Sequence, residues 1–388
     1  MISVTQAGSK RVRRGHPWIY RSDVTITGAA PVGGDLVSVR LPNGRPAGIA
    51  VYSDCSQITL RFIPLRELPK PESETSTILD LFDRAIARRV SRPDACRWIN
   101  GDADGLPGLI VDRYGPAVSI QCLSQFAARR QSLFVEHLRT RHGARLIVAR
   151  NDVRVRDLEG LPREKGVVFA EADAPDPRAV RVKLLGLELD YDLIEGQKTG
   201  GFLDQTDNRE AARLWAKGET LDCFSYDGGF ALPLSAAGCL VTAVDSSGPA
   251  LDRLRQRAAH NGLTLETLEE NVFDLVRVYE REGRTFDTIV LDPPAFAKSR
   301  TAVEAGRRAY KEINLRALKL LRRDGILITC SCSAHMERHS FESMLAEAAA
   351  DAQRFVRIVE RRSAAPDHPS LVTAPETDYL KVLIAQVH

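Results

Sequence analysis

The sequence predicts an α/β protein whose C-terminal half is a doubly wound sheet, preceded by a small β module and a central α+β module. Three observations carry this. From about residue 195 to the end, short apolar runs alternate with helical stretches, the pattern of a largely parallel sheet covered on both faces. The runs end in acids, glycines or cysteines, which groups polar residues at the carboxyl ends of the strands. Residues 1 to 66 instead show short apolar runs between Gly33-Gly34 and Asn43-Gly44 turns, a small all-β pattern. The length of 388 residues suits two or three domains, and the expected division is 1–68, 75–193 and 195–388.

The first module carries most of the charge asymmetry. Residues 1–66 hold nine Lys or Arg against three Asp, in a chain whose net charge is +3. Lys10, Arg11, Arg13 and Arg14 stand beside Trp18 and Tyr20. Such cations neutralise phosphates, and such rings stack on bases, so the module reads as a nucleic-acid contact. Core packing is the competing reading for Trp18, and the sequence favours it.

Pro69 to Glu74 reads as a polar linker. Thr75 to Arg92 places Ile78, Leu81, Phe82 and Ile86 on one helical stripe. Trp98 to Cys122 reads as a hairpin turning at Arg113-Tyr114-Gly115. The acidic turn Gly101 to Gly108 lacks the terminal Glu and the spacing of a calcium loop and is read as structural. Ser124 to His142 follows as helix, Ala144 to Ala149 as strand, and Val180 to Leu193 as strand.

In the third module, strands are expected near 220–224, 240–245, 264–270, 286–292, 325–330, 354–361 and 379–386. The first runs into Phe224-Ser225-Tyr226-Asp227-Gly228-Gly229, a turn whose glycines let backbone approach a ligand closely. The second ends at Asp245, with Ser246 after it, where a carboxylate would hold ribose hydroxyls. After the third, Asn271 precedes Asp274, which either accepts from an adenine amino group or starts a helix.

The fourth strand runs into Asp292-Pro293-Pro294-Ala295-Phe296. The prolines make a rigid exit that can hold a planar ring against Phe296, with Asp292 at the ring's polar edge. The fifth ends in Cys330-Ser331-Cys332-Ser333. Cys330 continues the strand as a buried thiol. Cys332 lies beyond it among hydroxyls and is the candidate nucleophile. The seven cysteines show neither metal-like pairing nor a disulfide framework, so no metal is expected and a reducing cytoplasm is. No apolar run reaches membrane-spanning length.

Together these stretches resemble the class I S-adenosylmethionine-dependent methyltransferases. More narrowly, the chain resembles the bacterial RlmI family of large-subunit ribosomal RNA cytosine-C5 methyltransferases. The resemblance rests on Cys223 to Phe230, Leu291-Asp292-Pro293-Pro294 and Ser331-Cys332-Ser333. It extends to His16-Pro17-Trp18, Gly105-Leu106-Pro107-Gly108, Gln197-Lys198-Thr199-Gly200, Leu203-Asp204-Gln205 and Asp367-His368-Pro369. It implies a Rossmann-like sheet, an N-terminal PUA-like module, S-adenosylmethionine as cofactor and ribosomal RNA as partner. The implied cofactor set is Phe224, Ser225, Tyr226, Gly228, Gly229, Asp245, Ser246, Asn271, Asp274 and Asp292, with Gln197 and Lys198. The implied RNA contacts are Lys10, Arg11, Arg13, Arg14, Pro293, Pro294 and Phe296.

Asp227 and the Gly201-Phe202 pair depart from the family's usual residues. Ala295 stands where another branch carries a second cysteine, so the resemblance implies a single-cysteine mechanism. In it Cys332 adds to cytosine C6 and Asp292 holds N3 and N4. The competing readings are a methyltransferase acting on a base nitrogen, a non-catalytic RNA-binding assembly factor and a nicotinamide oxidoreductase. Monomer and homodimer both remain open.

Overall fold

The computed structural model describes residues 1–89, 91–297 and 300–388. The chain forms two compact units. The first comprises Met1–Leu184, Leu189–Leu203 and Pro366–Pro375, and the second Leu185–Glu188, Asp204–Ala365 and Glu376–His388. The glycine-rich loop after Glu195 thus packs with the first unit. So does the stretch containing Asp367-His368-Pro369, whose buried Asp367 accepts from the Arg97 amide at 2.9 Å.

The first unit contains two main sheets. One is six-stranded, in the order Trp18–Tyr20, Ile58–Ile63, Pro46–Tyr52, Leu36–Arg40, Ile2–Val4, Val24–Ile26. The other is five-stranded and ends on Glu164–Ala170. Several features differ from expectation: the helix Pro71–Ala87 begins inside the stretch read as a linker, Val180 to Leu193 forms two strands, Val180–Leu184 and Leu187–Tyr191, and two further elements are new. Gln6–Arg13 is a helix, capped by the Thr5 side chain accepting from the Gly8 amide. It has almost no apolar residue to mark a stripe, so periodicity does not reveal it. Glu164–Ala170 is an edge strand with mostly exposed side chains and therefore no inward-outward alternation. The acidic turn at Gly101–Asp104 is tied inward: Arg89 grips Asp104 with two bonds of 2.8 Å, and the Asn100 amide adds a third at 2.7 Å. That is a structural role for the turn.

In the second unit, elements are numbered within the unit. They are α1 (Thr206–Trp215), β1 (Glu219–Cys223), α2 (Ala231–Ala236), β2 (Leu240–Asp245), α3 (Gly248–His260), β3 (Glu266–Glu269), α4 (Val272–Glu282) and β4 (Phe286–Leu291). Then come α5 (Val303–Leu320), β5 (Leu321–Ser331), α6 (Arg338–Asp351), β6 (Val356–Arg362) and β7 (Lys381–Val387). The sheet order is β3-β2-β1-β4-β5-β7-β6. The first five strands run parallel, and β7 is antiparallel to both β5 and β6. Strand order reverses between β1 and β4, which opens a crevice beyond their carboxyl ends.

All seven expected strands are present. The helix α5 ends at Leu320 and β5 begins at once. The pairing register slips opposite Phe286–Thr288, so Gly325 lies in a bulged stretch inside the strand. Tyr310, Ile313, Ala317, Leu318 and Leu320 of α5 are buried against Leu221, Ile289, Leu291 and Leu327 of the sheet. The apolar stripe of α5 and the near-continuous apolar strands explain each other. This core fixes the strand ends on which the polar residues stand.

Candidate active site

The crevice is built from the exits of β1, β2, β4 and β5. The exit of β1 is strained: Phe224 and Tyr226 have φ of 61° and 51°, and Gly228 has φ of 89°. Left-handed backbone at two non-glycine residues persists only where surrounding contacts enforce it. Those contacts are on both sides. The Ser225 amide donates to the Val244 carbonyl at 3.0 Å. The Tyr226 amide donates to Asp245 Oδ2 at 2.8 Å, and the Ser247 amide donates to Asp245 Oδ1 at 2.9 Å. Each Asp245 oxygen thus takes one backbone donor and retains further acceptor capacity for a hydroxyl.

Below the turn lies Asp222, buried on β1, to which Ser225 Oγ donates at 2.6 Å. Burial pushes its carboxyl up to about 7, against the pull of the Ser225 hydrogen bond, and the nearby Asp292 charge adds to the rise.

Asp292 follows β4, the strand between β1 and β5. Its Oδ1 accepts from Gln205 Nε2 at 3.1 Å. Asn208 holds Gln205 in turn at 2.7 Å, and Arg362 Nε holds Asn208 Oδ1 at 2.9 Å. The relay runs from β6 through α1 to the Asp292 carboxylate and sets its orientation. Pro293 is buried and Pro294 exposed. Phe296 does not stand free as a platform. It packs with Tyr310 at 4.8 Å, Phe273 at 5.8 Å and Phe224 at 6.3 Å between ring centroids. It forms an apolar wall between the turn and the Pro-Pro exit.

The two cysteines at the end of β5, Cys330 within it and Cys332 just past it, differ sharply. Cys330 is 0% exposed, and burial pushes its thiol well above the ordinary range, with the Asp292 charge adding to the effect. Cys332 is half-buried and its thiol reaches the Pro293 carbonyl at 3.9 Å. The next residue fastens both loops: Ser333 Oγ accepts from the Ala297 amide at 3.1 Å and shares a hydrogen bond with Tyr310 Oη at 2.9 Å.

The other expected residues fall in different places. Asn271 caps α4, accepting from the Phe273 amide at 2.9 Å. Asp274 is in the first turn of α4 with its side chain 74% exposed beside Arg277, which is the helix-starting alternative. Its neighbour Phe273, not its carboxylate, joins the aromatic wall. Ser246 is exposed just past Asp245. Gln197 and Lys198 belong to the first unit, where Lys198 lies over the Phe202 ring at 4.6 Å. Also in that unit, Lys10, Arg13 and Arg14 are exposed at the end of the Gln6–Arg13 helix, and Arg11 stacks on Tyr20 at 4.6 Å. Trp18 is half-buried and its indole donates to Asp102 at 2.8 Å. Among the described residues one group has the composition of a metal site: Asp83, His137 and His142. Both imidazoles bond one oxygen of Asp83, at 2.7 and 2.8 Å.

Sequence reasoning passed over Asp222, Asn208, Phe273 and Lys381, and quoted Gln205 only within a motif, with no role of its own. A lone lysine opening onto the apolar run Val382 to Ala385 was the available signal for Lys381.

A parallel sheet with its crevice at the reversal point, and one strand inserted antiparallel before the edge, belongs to the α/β enzymes that bind a nucleotide-type cofactor. Within that class, the chain belongs to the S-adenosylmethionine-dependent methyltransferase family: the family model matches residues 178–384, and a PUA-like domain model matches residues 2–64. Relatives named ribosomal RNA large subunit methyltransferase I align end to end. The one from Shewanella denitrificans is 37% identical over 100% of this chain and 99% of its own length. The one from Aeromonas hydrophila is 36% identical over 99% and 98%. Two solved structures share the fold over 99% of both chains at 19% identity. They are a candidate methyltransferase from Streptococcus mutans, TM-score 0.81, and SMU.776 in complex with SAH, TM-score 0.83.

The cofactor is therefore S-adenosylmethionine, and the donor set fits it. The strained turn and the doubly anchored Asp245 suit the ribose and amino-acid portions, and the Phe224-Phe273-Phe296 wall suits a purine. No helix among the described residues is long and apolar enough to cross a membrane.

Proposed function

We propose that this enzyme forms 5-methylcytosine in large-subunit ribosomal RNA through a covalent adduct on Cys332. One observation carries the reading: the half-exposed Cys332 lies at the strand-end crevice, its thiol on the Pro293 carbonyl beside Asp292. Bound S-adenosylmethionine supplies an electrophilic methyl group. Cytosine C5 is a weak nucleophile and needs activation. The Cys332 thiolate adds to C6 and turns the ring into an enamine with electron density on C5. Asp292, oriented by Gln205, hydrogen-bonds the N3–N4 edge and stabilises charge as the adduct forms. After methyl transfer the C5 proton leaves to solvent or a base, the C6–S bond breaks, and Cys332 is released as thiolate.

The target base has to leave its stack, at a cost of roughly a few kcal/mol that is least in single-stranded RNA. The basic N-terminal module contributes binding remote from the reacting atoms. The names of the relatives, ribosomal RNA large subunit methyltransferase I, support the substrate class. The reading places the enzyme in the cytoplasm, where that RNA is made.

The test is transfer of labelled methyl to deproteinised ribosomal RNA lacking the modification, followed by digestion to nucleosides. Label is expected in 5-methylcytidine with wild type and with Cys330→Ala, and none with Cys332→Ala, whose cofactor affinity is unchanged. Label in another nucleoside that survives Cys332→Ala would establish transfer to a base nitrogen instead.

A further inference from the structure

A buried cation stands beside the proposed nucleophile and has no part in the mechanism above. Lys381 opens β7 opposite Ser331 of β5 in the antiparallel ladder. Its residue is 2% exposed. Its Nζ donates to the Ser333 carbonyl at 2.7 Å and to the Tyr379 carbonyl at 2.7 Å. Ser331 and Ser333 flank Cys332, so the ammonium is anchored one residue from the thiol.

The groups facing this ammonium are few. Asp378 and Cys332 favour its charge and Arg338 opposes it. Arg338 also bonds Asp378 at 3.4 Å, so that carboxylate is shared. Among the described residues, those that face Cys332 include Cys330 near the end of β5, Tyr310 of α5 and Lys381 of β7. Of these three, Lys381 is the one that carries positive charge. Burying an ammonium on two neutral carbonyls is unfavourable unless an anion accompanies it.

We propose that Lys381 is a cation that helps to hold Cys332 as a thiolate, a positioning residue acting through the nucleophile. This rests on the covalent reading above. The thiol loses its proton to solvent through its exposed side, and Lys381 keeps its own throughout, so no proton passes between them. The ammonium compensates the new negative charge in a partly desolvated place, where compensation counts most. It also favours return of the thiolate as leaving group when the C6–S bond breaks. Burial lowers the lysine to about 8, so its charge, and the proposed pairing, persist through neutral pH and fade in mildly alkaline solution.

The rival reading is a strap: Lys381 ties the Ser333 carbonyl to β7 and its charge is incidental. The two separate in a pH profile of Cys332 alkylation by iodoacetamide, read by peptide mass spectrometry on the intact protein. Exposed Cys55 is the internal reference, since a hydrogen bond to Asp54 raises its thiol. Wild-type Cys332 is expected to react faster than Cys55 at pH 7. Lys381→Met is expected to slow Cys332 at pH 7 roughly tenfold, with the rate recovering by about pH 9.5 where any thiol ionises. Lys381→Arg restores the neutral rate to within a few-fold. Lys381→Gln keeps a donor for the carbonyls but not the charge, and is expected to behave as Lys381→Met does.

If Lys381→Gln alkylates with the wild-type profile, the strap reading holds and the proposal is overturned. The same follows if Lys381→Met is slowed equally at all pH values. This readout needs no methyl transfer. A Cys332→Ala enzyme that still makes 5-methylcytidine would defeat the covalent reading separately, whatever the alkylation shows.

Discussion

Asp222 is closed off from solvent on β1, and Ser225 Oγ donates to it at 2.6 Å. Its carboxyl, raised by burial to about 7, holds its proton in the folded protein over a range where the unfolded chain has lost it. The sign follows from linkage: between about pH 4 and pH 7 the folded state binds more protons, so stability from this group falls as pH rises. Asp222→Asn removes that penalty and retains an oxygen for the Ser225 hydroxyl. The variant is expected to gain on wild type by about 2 kcal/mol between pH 5 and pH 8. Urea unfolding at the two pH values measures it. An equal difference at both would show that Asp222 is ionised in the fold. The same reasoning separates Cys330 from Cys332. Burial makes one thiol inert, and partial exposure leaves the other able to ionise.

At the scale of elements, the crevice depends on one turn more than on any helix. Gly228 combines a φ of 89° with no room: a Cβ there would stand 2.2 Å from Leu254 Cδ1 and 3.0 Å from Leu232 Cγ. Gly228→Ala therefore strains the backbone and pushes α3 away from the turn. The expected result is at least about a tenfold loss of cofactor affinity with a lowered Tm, read by calorimetric titration and thermal melting. This turn and the strand ends were legible because apolar runs that stop at acids and glycines are local features. The relay Arg362-Asn208-Gln205-Asp292 was not, since its members are scattered over more than 150 residues. Lys381 is buried only because β7 inserts between β5 and β6, an outcome of sheet order that no local pattern reveals. The glycine-rich loop looks continuous with the helix after it. Yet Thr199 Oγ1 donates to buried Asp112 at 2.6 Å, and the loop joins the first unit.

At the scale of the whole molecule, the proposed function divides the labour of binding and chemistry. The crevice, the nucleophile and the orienting relay are all in the second unit, while the exposed cations Lys10, Arg13 and Arg14 are in the first. Phosphate contacts position RNA without reading sequence, and their strength depends on released counterions. Removing them should therefore leave the reacting geometry alone and weaken attachment. For the triple variant Lys10→Ala, Arg13→Ala, Arg14→Ala, KM for RNA is expected to rise at least about tenfold while kcat stays within about twofold. The slope of log affinity against log salt should become shallower by about 2, since each contact to single-stranded RNA contributes roughly 0.7. Arg11 is left out of the set because it stacks on Tyr20 and its loss would disturb packing as well as charge. An unchanged salt slope would assign RNA attachment to another surface. A fall in kcat with KM unchanged would mean that the first unit helps to place the target base, and that its cations act on the chemistry itself.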